Sequence, residues 1–156
     1  MTRTMLTLGL ATCLLIAAPA SPDDKPKAPS GAPADLIGGY TLVSGEKYGL
    51  KEPAERIEGV TVRFADDAIV VLDKDKKEAY ISTYKVDATK TPWSIVMKSK
   101  VTPYTQKGAD EQVARGLIQK DGDTVKLIYA LPGGELPTEF KTQEKQIMFV
   151  MKNDRK

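Results

Sequence analysis

From residue 39 onward apolar and polar side chains alternate. In 39–44, Tyr40 and Leu42 fall on one side of an extended chain, and Thr41 and Val43 on the other. In 60–64, Val60, Val62 and Phe64 oppose Thr61 and Arg63. A period of two marks a half-buried strand, because successive side chains of extended backbone point to opposite faces. The same pattern predicts a strand at 68–72, after an Asp66-Asp67 turn. It predicts another at 79–86, with Tyr80, Tyr84 and Val86 together, and one at 93–97, with Trp93, Ile95 and Met97 together. Strands at 113–119 and 124–131 flank Asp121-Gly122, a hairpin signal because both residue types tolerate positive φ. A strand at 147–152 makes eight.

Between the first two strands Pro53 suits the first position of a helical turn, 54–58 can continue it, and Gly59 suits the residue just past its end. An irregular loop fits these residues equally well. A turn here would serve a barrel as a lid or plug. Short strands joined by turns, with no long helix, predict an all-β fold: a single small antiparallel barrel of about eight strands, with at most one short helical turn. A barrel of that size is either filled by its own side chains or holds one small ligand.

The residues before 35 do not share this pattern. Arg3 is followed by an almost wholly apolar stretch at 5–18, and Ala18-Pro19-Ala20 fits a small-x-small cleavage site before Ser21. Residues 1–20 therefore read as a signal peptide. The apolar run falls short of the ~20 residues a membrane-spanning helix needs, so no transmembrane span is expected in the mature chain. Leu10-Ala11-Thr12-Cys13 loosely resembles a lipobox, which makes lipid anchoring at Cys13 the minor alternative. Thr12 and the apolar residues after Cys13 fit that alternative poorly. Residues 21–34 contain four prolines and no large apolar side chain, the composition of a solvated linker. The organisation expected is a signal peptide at 1–20, a linker at 21–34 and a β domain at 35–156, exported to the periplasm or beyond the cell.

Composition narrows the chemistry. Of 156 residues 41% are hydrophobic and 28% charged, ordinary for a globular domain. The net charge is +2 with the signs interspersed, as in Asp73-Lys74-Asp75-Lys76-Lys77-Glu78, so no nucleic-acid partner is expected. There is no histidine, and Cys13 is the only cysteine. The domain therefore lacks a disulfide, a thiolate nucleophile, a histidine base and an N/S zinc site.

Three acid pairs, Asp66-Asp67, Asp73 with Asp75 and Asp121 with Asp123, invite a calcium reading. An EF-hand loop starting at Asp73 would need glycine at its sixth position and glutamate at its twelfth, where this chain has Glu78 and Tyr84. Turn chemistry explains the pairs. Ser82-Thr83-Tyr84-Lys85 has Ser-x-x-Lys spacing, but on a strand Ser82 and Lys85 point to opposite faces. Gly133-Gly134 follow a proline rather than a strand, so no phosphate loop is supported. Glu139 is the one carboxylate worth inspecting for acid catalysis. No catalytic residue, metal site or cofactor is predicted.

Two stretches carry a resemblance. Gly116-Leu117-Ile118-Gln119-Lys120-Asp121-Gly122-Asp123-Thr124-Val125-Lys126-Leu127 is similar to the hairpin, and Pro132-Gly133-Gly134-Glu135-Leu136-Pro137-Thr138-Glu139-Phe140 to a later segment, of a family of small exported lipocalin-like domains abundant in planctomycete bacteria. The resemblance runs from Gly39 to the end. It implies a lipocalin-like barrel and export, and brings no activity with it. Tyr40 stands where the family has a tryptophan, Leu136 where it has an arginine and Ile128 where it often has a cysteine. A ligand contact made by that arginine in the family would be missing here.

Aromatic residues on the strand faces are the remaining candidates. Tyr84, Trp93 and Tyr129 would line a ligand cavity if the barrel is hollow, and would be core if it is filled. The function expected is non-enzymatic binding of a small apolar ligand in the cell envelope. The alternatives are a structural or protein-interaction module with a filled barrel and, third, a carboxylate enzyme.

Overall fold

The structure, a computed structural model, describes residues 33–99 and 112–154. The expected signal peptide at 1–20, with Cys13, and most of the expected linker at 21–34 fall outside the described residues.

Nine antiparallel strands follow in order: β1 (Gly38–Lys47), β2 (Leu50–Lys51), β3 (Thr61–Phe64), β4 (Ala68–Leu72), β5 (Glu78–Asp87), β6 (Trp93–Ser99), β7 (Val113–Asp121), β8 (Thr124–Ala130) and β9 (Gln146–Asn153). From β3 to β9 each strand pairs with the next, and β1 pairs with both β3 and β9. Eight strands thus close an up-and-down barrel, which leaves no open sheet edge in the cylinder. The two-residue β2 lies outside that circuit, paired to the end of β1.

Alternation decides which side chains face inward. Tyr40 and Leu42 are buried, and then β1 bulges between Leu42 and Ser44. The extra residue, Val43, faces solvent, and the inward face resumes at Gly45. On β7 the inward Gly116 lies so close to β8 that a Cβ there would sit 1.9 Å from the Ile128 carbonyl oxygen, which explains a glycine in the middle of a strand.

The β7–β8 hairpin differs in detail from the expectation. Asp121 pairs with Thr124, so the two turn residues are Gly122 and Asp123, one position later than expected. Only Gly122 has positive φ, +55°. Asp121 stays in the strand, and glycine takes the first central position, as in type II′ turns.

The two ends of the cylinder are built differently. At one end the connections are short: 65–67 between β3 and β4, 88–92 between β5 and β6, and 122–123 between β7 and β8. Here a 3₁₀ turn, Ala34–Leu36, inserts Leu36, which is 0% exposed. Tyr40, Phe64 and Tyr84 stack edge to face beside it, with ring centroids 5.6 and 5.7 Å apart. The Tyr40 hydroxyl donates to the Leu36 carbonyl at 2.9 Å and the Tyr84 hydroxyl to the Ala65 carbonyl at 2.6 Å. This half of the barrel is filled.

At the other end two connections are long, 48–60 and 131–145, beside the five-residue turn 73–77 between β4 and β5. The first contains a single helical turn, α1 (Ala54–Ile57), after Pro53 and before Gly59, whose φ is +75°. The second is tied to β1 by Thr142, whose hydroxyl donates to Glu46 and accepts from the Gly49 backbone at 2.9 Å.

Candidate functional site: a cavity in the open half of the barrel

Toward the end with long connections the inward side chains no longer fill the cylinder. A cavity of about 450 Å³ opens there. Its depth is walled by Leu42, Val62, Ile69, Met97, Leu127 and Met151. Nearer the mouth stand Val71, Tyr80, Ala114, Tyr129 and Phe149, and α1 contributes Arg56 and Ile57. The hollow follows from small residues at inward positions. Ser82 and Ala114 line it where larger side chains would close it.

The polar groups of this cavity are few. Ser82, on β5, is 0% exposed, and its Oγ has no hydrogen-bond partner of good geometry within the protein. Tyr80 lies two residues before it on the same face. Burial pushes the Tyr80 phenol above its ordinary pKa, and an approach to the Ser82 hydroxyl, outside good hydrogen-bond geometry, acts in the opposite direction. Burial, reinforced by Tyr80, pushes the Tyr129 phenol up as well. Both tyrosines are therefore neutral hydrogen-bonding groups at physiological pH. Among the described residues charged side chains reach the cavity only at its mouth. Arg56 pairs with Glu52 at 3.4 Å, and its own side chain is 73% exposed. Asp73 is engaged in its own turn, where its Oδ1 accepts from the Asp75 and Lys77 backbone, each at 2.9 Å.

The rim is apolar. Tyr48, Leu50, Tyr80, Val113 and Leu136 are exposed large hydrophobic side chains, and all lie on segments at this end of the barrel.

The three aromatic candidates separate. Tyr129 lines the cavity. Tyr84 does not; it is core in the filled half, pushed above its ordinary pKa by burial and then by Asp66. Trp93 does not either. It opens β6 at the filled end and packs partly buried against the core. The expectation that these two line the cavity is corrected by their position along the barrel axis, since both face inward at the wrong level. Ser82 and Tyr80 were accessible to the same reasoning, because alternation sets Ser82 on the face of Tyr80 and Tyr84. A hydroxyl on an otherwise apolar face was the signal.

Ser82 has no catalytic neighbour. Lys85 is exposed on the opposite face of β5. Glu139 lies exposed in the 131–145 connection, away from the cavity. Among the described residues no group of three or more His, Cys, Asp or Glu side chains could hold a metal ion. No helix among them is long and apolar enough to cross a membrane. The arrangement can enclose an apolar molecule and offer it neutral hydroxyls. The chain matches no protein-family model, no curated protein and no solved structure.

Proposed function

We propose that this protein binds a small apolar molecule in the open half of its barrel, without a cofactor and without chemistry on the ligand. The observation that carries this reading is an apolar cavity of about 450 Å³ with a buried, unpartnered Ser82 hydroxyl on its wall. Ligand sites are concave, mostly apolar and furnished with a few placed polar groups, and this volume is within their usual range. The leader-like residues 1–20 support placing this activity outside the cytosol, in the cell envelope. The order of strands and the two quoted stretches support grouping the chain with the exported lipocalin-like domains it resembles.

Titration with N-phenyl-1-naphthylamine, a neutral apolar fluorophore, tests the reading. Its emission should rise saturably at one molecule per chain. Ala114→Phe, which places a ring in the cavity, should abolish the rise while leaving the β-type circular dichroism intact. A flat titration of the natural chain would overturn the proposal. The interaction-module alternative would then take over, supported by the exposed Tyr48, Leu50 and Leu136 on the rim.

A further inference from the structure

The groups inside the cavity bear on what charge a ligand can carry. Resting on the binding reading above, we infer that the ligand is an uncharged apolar molecule whose one carbonyl or hydroxyl oxygen bonds to Ser82, and that carboxylates and phosphates are disfavoured.

Ser82 supplies the first half of the argument. A hydroxyl buried without a partner is costly, and a native protein tolerates one where something else completes the bond. Ser82 sits deep on β5, paired across to Ile69 of β4, and it is one of the residues that line the cavity. A hydroxyl both donates and accepts. It therefore suits a ketone, ester or quinone oxygen as acceptor, or an alcohol as either partner. Among the described residues it is the one hydroxyl in the deep part of the cavity, since the Tyr80 and Tyr129 phenols stand nearer the mouth. The surfaces around it, Leu42, Val62, Met97 and Leu127, are apolar. A sugar or other polyol would leave its remaining hydroxyls facing hydrocarbon, which is unfavourable.

The missing counter-charge supplies the second half. An anion taken into an apolar cavity loses its water and needs a cation in return. Among the described residues none lines the deep part of this cavity. Arg56 is at the mouth, largely in solvent and paired with Glu52. Among the described lining residues Glu52 and Asp73 set two carboxylates against the one guanidinium at the mouth. Tyr80 and Tyr129 hold their protons and add dipoles, not charge. A fatty-acid carboxylate would thus have to remain at the mouth among like charges, and Ser82 would stay unsatisfied.

Competition against bound N-phenyl-1-naphthylamine at neutral pH decides the matter, using 2-decanone, 1-decanol and decanoate, which share a chain length. The ketone and the alcohol should displace the fluorophore at concentrations about tenfold lower than decanoate, the ratio for one well-made interaction. Ser82→Ala, a small change that removes an unpaired group and should fold, ought to erase most of that advantage by weakening the ketone about three- to tenfold. If decanoate competes as well as the ketone, the inference fails and the binding reading stands. If none of the three displaces a bound fluorophore, the inference fails. If the fluorophore itself does not bind, the binding reading falls and takes the inference with it. An unchanged ketone advantage in Ser82→Ala would overturn the role given to Ser82.

Discussion

The same strands build a solid half-barrel and a hollow one. In the solid half Tyr40, Phe64 and Tyr84 interlock over Leu36, and the hydroxyls of both tyrosines end on backbone carbonyls. In the hollow half Ser82 and Ala114 take inward positions, and the Ser82 hydroxyl makes no hydrogen bond of good geometry within the protein. Burial and hydrogen bonding are complete where the chain only has to hold itself together. They are incomplete where the long connections gather. That asymmetry separates a structural core from a receiving site, since a protein interior otherwise packs as densely as an organic crystal.

The largest test of the contrast is a pair of truncations. Phe64→Ala removes a ring that is 1% exposed and touches two others. It should cost about 3–5 kcal/mol, the usual range for a fully packed phenylalanine. Phe149→Ala removes a ring that already borders the cavity and meets Tyr129 only at a tilted 6.4 Å. It should cost less than half as much. Urea-unfolding midpoints compare the two at constant slope. Equal losses would mean that the open half is as tightly packed as the closed one.

Alkaline titration gives the next largest effect. Burial raises the phenol pKa of Tyr84 in the closed half and of Tyr80 and Tyr129 in the open half above the ordinary tyrosine value of about 10. For an acid whose folded pKa is raised, the native state holds more protons than the unfolded chain above the unfolded pKa, so stability falls as pH rises there. Stability from these groups is thus complete below about pH 10 and is lost progressively above it. Phenolate absorbance, followed with Tyr84→Phe and Tyr129→Phe variants, assigns each step. A bound apolar ligand should delay Tyr129 further and leave Tyr84 where it was. If both steps move together, the two halves do not act independently.

Much of this architecture is legible in the alternation alone. Val60, Val62 and Phe64 against Thr61 and Arg63 specify a strand and its buried face, and Pro53 with Gly59 brackets the helical turn where it occurs. Alternation reports inside or outside, however, and says nothing of height along the axis. Tyr84, Trp93 and Tyr129 all face inward. Tyr84 comes late in β5, Trp93 first in β6 and Tyr129 late in β8. In an up-and-down barrel the end of one strand adjoins the start of the next, so the first two share the closed end and the third lies toward the open one. Topology, added to periodicity, separates them. Ser82 escaped because its spacing to Lys85 drew attention to catalysis, whereas its meaning lies in the apolar company of its own face. The bulge at Val43 leaves no mark in the pattern, since Val43 reads as an ordinary outward position.

The smallest expected effect is the sharpest check on where a ligand sits. Trp93 is the chain's only tryptophan, so its fluorescence reports one place. It is four residues from Met97 on β6, roughly 13 Å at about 3.3 Å per residue, and it pairs with Ile118 in the filled half. Met97 lines the cavity and Trp93 does not. Binding of 2-decanone should therefore leave Trp93 emission nearly unchanged, although the compound displaces the apolar fluorophore. In a Trp93→Phe background, Phe149→Trp moves the single indole to the cavity wall, and there the same titration should shift emission saturably. Silence at Trp93 together with a response at position 149 places the ligand in the open half. A saturable response at Trp93 would mean that the ligand reaches past Leu42 and Leu127 or that the aromatic stack rearranges around it, and in either case the solid half would no longer be inert.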